Sequence, residues 1–171
     1  MTILRSSVIA FLCLLSLTNA ASSVTQTPLD TVENFSEKWG WKDCGMETDP
    51  IQIQSIEISP DPPLPGKPLT VKVTGTASEV IEEGATADVT VKLGLIKLLT
   101  KTFDVCEEAR SANASVQCPV EKGQYIVEQT VDLPKEIPPA KFNIHIDGYT
   151  VDEDDLMCMD LTIDFTKKHF W

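Results

Sequence analysis

From Ile51 to Phe165, apolar residues recur at every second position in short segments broken by proline and glycine. Alternation with a period of two puts one apolar and one polar face on each segment, as half-buried strands require, and regular turn signals between them predict a β-sandwich. "IQIQSIEI" (51–58) starts with Ile51 and Ile53 on one face and then shifts parity to Ile56 and Ile58, as a bulge or a strand changing sheets demands. "LTVKVTG" (69–75) turns Leu69, Val71 and Val73 inward, and "ADVTVKLGL" (87–95) does the same with Ala87, Val89, Val91, Leu93 and Leu95. "YIVEQTVDL" (125–133) puts Tyr125, Val127, Val131 and Leu133 on one face, and "KFNIHIDGY" (141–149) groups Phe142, Ile144 and Ile146. "MCMDLTIDF" (157–165) aligns Met157, Met159, Leu161, Ile163 and Phe165. The prolines of "SPDPPLPGKP" (59–68) and "PKEIPP" (134–139) lack the donor a ladder needs, so both stretches are loops. Six or seven strands are expected, and no long helix. The one helical competitor, "VKLGLIKLLTK" (91–101), would make a basic amphipathic turn for a membrane surface, but Gly94 and the β-branched run before it favour a strand.

Upstream the pattern differs. Residues 1–20 carry a single charge, Arg5, followed by an apolar run and small residues at 18–20, which reads as a secretory signal cleaved after Ala20. Residues 21–38 are polar and read as a flexible leader or propeptide, leaving 39–171 as one domain, and removing the signal leaves about 150 residues, enough for one core. The expected location is the secretory pathway: a vacuolar lumen or outside the cell.

That compartment decides how the cysteines are read. Cys13 leaves with the signal, and the remaining four, Cys44, Cys106, Cys118 and Cys158, are even in number, which favours two disulfides with three possible connectivities. A metal site would want C-x-x-C pairs or clustered histidines, and the chain has only His145 and His169, so no metal is expected. The sequons at Asn34 and Asn113 are glycosylation candidates.

Charge removes one class of partner. With 14 basic against 26 acidic residues the formal charge is −12, which at neutral pH repels nucleic acid and anionic membrane alike. Enzyme motifs are also missing. Neither G-x-S-x-G nor H-E-x-x-H occurs, and His145 falls on the face of its strand opposite Phe142, Ile144 and Ile146, toward solvent or a cross-strand partner. "DEDD" (152–155) lacks the glycine and Asp/Asn alternation of a calcium loop and reads as a solvated hairpin turn. No catalytic residue and no cofactor are expected. Met157 and Met159 stand out among the inward residues, because flexible thioethers suit a surface that adapts to a ligand.

Four stretches together, "WKDCG" (41–45), "IEISPDPPLPGKPLTVKVTG" (56–75), "CPVEKGQYIVEQTVDLPKEIPPAKF" (118–142) and "LMCMDLTIDF" (156–165), resemble the ML-domain lipid-recognition family. The resemblance runs from Trp39 to Phe165. It implies an immunoglobulin-like β-sandwich of two antiparallel sheets that part at one end around an apolar cavity. It also implies the pairings Cys44–Cys158 and Cys106–Cys118; the third disulfide of other members has no cysteines here. Its implied activity is non-enzymatic: reversible extraction and delivery of phosphatidylglycerol, phosphatidylinositol or sterol by a monomer in transient contact with membrane surfaces. Val89, Val91, Leu93, Tyr125, Val127, Val131, Phe142, Ile144, Ile146, Met157 and Met159 are the candidate cavity lining. The competing readings are a module that presents a lipid to a receptor without transfer and, behind it, a secreted hydrolase.

Overall fold

The structure is a computed structural model that describes residues 38–166 together with the backbone of 33–35. The expected signal, most of the leader, the side chain of Asn34 and His169 lie outside the described residues. Among the described residues, nine strands and one short helix follow each other in the order β1 (Glu33–Phe35), β2 (Trp39–Asp43), β3 (Ile51–Ser59), β4 (Pro68–Ala77), β5 (Thr86–Leu93), β6 (Ile96–Asp104), α1 (Val105–Ser111), β7 (Gly123–Asp132), β8 (Lys141–Tyr149) and β9 (Asp155–Asp164). They form two antiparallel sheets, β1-β2-β9-β8-β5-β6 and β3-β4-β7.

The parity shift in 51–58 is a bulge in β3 between Ile53 and Ser55, opposite β4. Gly75 faces it because a Cβ there would stand 2.9 Å from the Gln52 carbonyl oxygen, closer than side chains tolerate. Both proline runs are loops, and they are tied together where Gly66 N–H donates to Leu133 O at 3.1 Å. "DEDD" lies at the β8–β9 turn, where Thr150 and Asp154 exchange hydrogen bonds.

One expectation needs correction. The strand expected over 87–95 ends early, and the competitor 91–101 is not a helix. β5 stops at Leu93, Gly94 turns the chain at φ +59°, and β6 returns along β5. Leu95, assigned inward by alternation, therefore sits in the turn and is fully exposed. The interval between Cys106 and Cys118 opens within α1, which the Asp104 carboxylate caps by accepting from Glu107 N–H at 2.8 Å. Within the stretch read as leader, the backbone of Glu33–Phe35 pairs with β2.

The core is off-centre. Trp39 and Trp41 of β2 pack with Ile53 and Ile56 of β3, joining the two sheets. Around them lie Ile51, Ile58, Val71 and Val73 from one sheet and Met157, Met159, Leu161 and Ile163 of β9 from the other. Burial leaves the Trp41 indole N–H without an acceptor among the described residues, a cost of about 1–3 kcal/mol against about 3–5 kcal/mol for the ring's packing. A second cluster, Ile81, Ala85 and Leu156, closes the end where α1 lies. Beside the main core, Cys44 and Cys158 form a disulfide across a sequence separation of 114, and Cys106–Cys118 forms the other. Replacing Cys44 and Cys158 together by Ser should lower unfolding stability by up to about 4–5 kcal/mol, because the bond closes a loop of more than 100 residues. Urea unfolding of the two proteins measures it; a loss below about 1 kcal/mol would contradict this role.

Candidate functional site

The ladder registers place the candidate residues in rows across the inner face of each sheet. In the larger sheet one row runs Trp39–Ile163–Phe142–Leu93, the next Trp41–Leu161–Ile144–Val91–Leu99, and the third holds Met159, Ile146 and Val89. Met157 pairs with Gly148 one step further toward α1. In the smaller sheet the rows are Ile53–Gly75–Tyr125, Ile56–Val73–Val127 and Ile58–Val71–Gln129.

Burial falls away from β2 and β3 along the rows that begin at Trp39, Trp41, Ile53 and Ile56, and the other two rows are half-buried throughout. Trp41 is 1% exposed, Leu161, Ile144 and Val91 are half-buried, and Leu99 on β6 is 45% exposed. On the facing sheet Ile56 is 3% exposed while Val73 and Val127 are half-buried. A sandwich filled from edge to edge buries inward positions throughout, because protein interiors pack like crystals. Here the sheets meet tightly along β2 and β3, and their inner faces retain exposure toward β6 and β7.

Ten of the eleven candidates share these two facing surfaces. Val131 has the right parity, opposite Leu69, but is 46% exposed near the end of β7. Tyr125 is held by its hydroxyl, which donates to Glu121 O at 2.7 Å. Sequence reasoning passed over Val71 and Val73 as site residues, although their alternation was visible. It also passed over Leu99, because β6 was not recognised, and Gln129, because nothing polar signals an inward position. The Gln129 amide donates to Ala112 O at 3.1 Å, joining β7 to the segment after α1 across one end of the open side. The Cys106–Cys118 bond holds that segment, and Arg110 forks onto Glu83 at 2.8 and 2.9 Å. Asn113 is exposed there, at φ +51°.

Opposite α1, the proline loops and the end of β9 enclose a cleft of about 470 Å³, lined by Lys38, Pro63, Lys135, Ile137 and Phe165 among others. Asp164 sits in it and accepts from Thr166 N–H at 2.7 Å, with the Lys38 ammonium 3.5 Å away. The Thr166 hydrogen bonds, aided by Lys38, hold the Asp164 carboxyl below its ordinary value of 3.8.

His145 faces away from the interior, as its parity predicts. Its Nδ1 meets Asp160 at 2.7 Å and its Nε2 meets Asp147 at 3.0 Å. The nearby sulfurs of Cys44 and Cys158 are joined to each other and offer no thiolate to a metal.

A fold of two sheets joined along one side, with facing apolar rows opening toward the other, defines a class. Residues 38–165 match the ML-domain model, and the chain belongs to that family, which is not a catalytic one. It is 64% identical over 130 residues to a protein of Cryptococcus neoformans var. neoformans serotype D named phosphatidylglycerol/phosphatidylinositol transfer protein, covering 76% of this chain and 72% of the relative. A protein of the same name from Aspergillus fumigatus is 38% identical over 169 residues, 94% of each chain. Among solved structures, chicken MD-1 complexed with lipid IVa superposes with a TM-score of 0.57 at 17% identity, over 77% of this chain and 93% of that one. A Niemann-Pick type C2 protein from the Japanese carpenter ant gives 0.55 at 18%, over 72% and 97%. At those identities the two structures establish the fold.

Asp164→Asn should destabilise the protein at neutral pH. A carboxyl depressed in the native state stabilises above its unfolded value of 3.8 and ceases to do so as pH falls through the native value. The gap between wild type and variant should therefore narrow below about pH 3.8 and close at lower pH, as read by thermal melts across that range. A gap that stays constant with pH would refute the assignment.

Proposed function

We propose that this chain carries lipid between membranes, holding the acyl chains of phosphatidylglycerol or phosphatidylinositol, or a sterol, in a cavity between its two sheets. The observation that carries this reading is the fall in burial along the inner rows that begin at Trp39, Trp41, Ile53 and Ile56. Side chains that face one another across two sheets and still retain exposure bound a space. Filling that space with hydrocarbon removes CH₂ groups from water at about 0.8 kcal/mol each. Contacts of this kind are tolerant of shape, so one cavity serves several lipids. Met157 and Met159 add adaptable walls. The names of the Cryptococcus and Aspergillus relatives support phospholipid as cargo. Exchange requires no covalent step: the lipid leaves one bilayer and enters another, and its affinity for the protein sets the balance.

The same reading places the protein in an oxidising lumen of the secretory pathway, a vacuole or the extracellular space, as a monomer. The charged-then-apolar start of the chain and its two disulfides support that placement.

Labelled phosphatidylinositol should pass between donor and acceptor vesicles faster with the wild-type protein than without it; no acceleration overturns the proposal. Retention of one lipid without exchange would instead favour a presenting module. Val91→Trp and Val127→Trp fill the space from opposite sheets and should lower lipid loading roughly tenfold or more while leaving the denaturant midpoint unchanged or higher. If the interior were solid, the same substitutions would overpack it and cost about 1–3 kcal/mol.

A further inference from the structure

The β5–β6 hairpin exposes more apolar surface than an edge in water normally does, because edges are shortened, charged or covered. β6 carries Lys97 and Lys101 but also exposes Ile96 (65%) and Leu98 (52%), and Leu95 in the turn is as open as a free residue. No atom lies within 4 Å of where a Cβ on Gly94 would stand. Directly behind this tip, Lys92 and Lys97 pair across the ladder. Like charges face to face weaken a ladder, and among the described residues neither lysine has an ion-pair partner. An apolar tip backed by two bare cations is complementary to a surface that offers hydrocarbon and negative charge together.

The rest of the molecule sharpens that match. At a formal charge of −12, clustered lysines are not a by-product of general basicity. Carboxylates crowd the opposite end, with Glu82 and Glu83 before β5, Glu107 and Glu108 on α1, and Asp152 and Asp154 in the β8–β9 turn. Near the tip, Lys141 opens β8 beside Phe142, which pairs with Leu93, and Lys67 and Lys135 lie in the joined proline loops together with Asp61 and Glu136. The molecule is polarised along its strands, so a negative surface turns the hairpin end toward itself and repels the other.

We propose that the β5–β6 tip is the surface by which this protein docks on an anionic bilayer. Leu95 and Ile96 enter the interfacial layer, and Lys92 and Lys97 meet lipid phosphates. The proposal rests on the carrier reading, and it sets the open side of the sandwich, along β6, beside the membrane that gives or takes the lipid.

Co-sedimentation with phosphatidylcholine vesicles, with and without phosphatidylglycerol and at low and high salt, tests it. Wild-type protein should bind the phosphatidylglycerol vesicles, and bind them less in high salt. Leu95→Asp/Ile96→Asp and Lys92→Ala/Lys97→Ala should each lower that binding roughly tenfold or more. Both should still load phosphatidylinositol presented in detergent micelles. Because Lys92→Ala/Lys97→Ala removes a repulsive pair, its denaturant midpoint should hold or rise, which separates lost docking from lost folding. Unchanged binding of both variants overturns the docking proposal, as does equal, salt-insensitive binding to pure phosphatidylcholine. So does a stable dimer that Leu95→Asp/Ile96→Asp dissociates. Failure of the wild type to load lipid from micelles would sink the carrier reading by itself, and sedimentation would still decide the docking surface.

Discussion

The structure depends on a hydrophobic contact placed to one side. Trp39 and Trp41 against Ile53 and Ile56 is where the sheets are drawn together, and the Cys44–Cys158 bond stands beside it. A sandwich fastened along one side leaves the inner faces of β5, β6, β7 and β8 without close partners, and each of those strands is kept in place by its ladder. Stability and the candidate binding surface are thereby separated in space. The tryptophans and the long disulfide stabilise one side strongly enough for the other to forgo packing.

The open side is not uniform. At the α1 end it is bridged by the segment that Cys106–Cys118 staples and that Gln129 holds to β7. That end is also closed inside by Ile81, Ala85 and Leu156. At the other end stand the proline loops and the bare β5–β6 hairpin. The two ends differ in charge as well, carboxylate-rich near α1 and studded with lysines near the hairpin. Apolar exposure and electrostatic polarity thus share one axis.

Much of this was legible in the residues. Alternation located β3, β4, β5, β7, β8 and β9, and the parity shift after Ile53 announced the bulge. Cysteine arithmetic predicted two disulfides, and family resemblance supplied their pairing. β6 escaped because Leu98 and Leu99 are adjacent and Lys97, Thr100 and Lys101 fall irregularly between the faces; an edge strand exposed on both sides is under no demand to alternate. Helix α1 escaped because seven residues, about two turns, capped by Asp104 carry too little periodicity to register. Gln129 escaped because inward position follows from its pairing with Val71, not from its chemistry.

The sequence by itself determined which residues of most strands turn to the interior, the number of disulfides and the acidic character of the whole. Only the tertiary structure decided that Trp41 and Ile56 are core while Ile144 and Val127, equally apolar and equally alternating, stay half-buried. It alone joined Lys92 to Lys97 behind an exposed leucine. The reason is physical: alternation records which face of a strand a side chain occupies, whereas burial depends on what lies across from that face, and residues distant in the chain supply it.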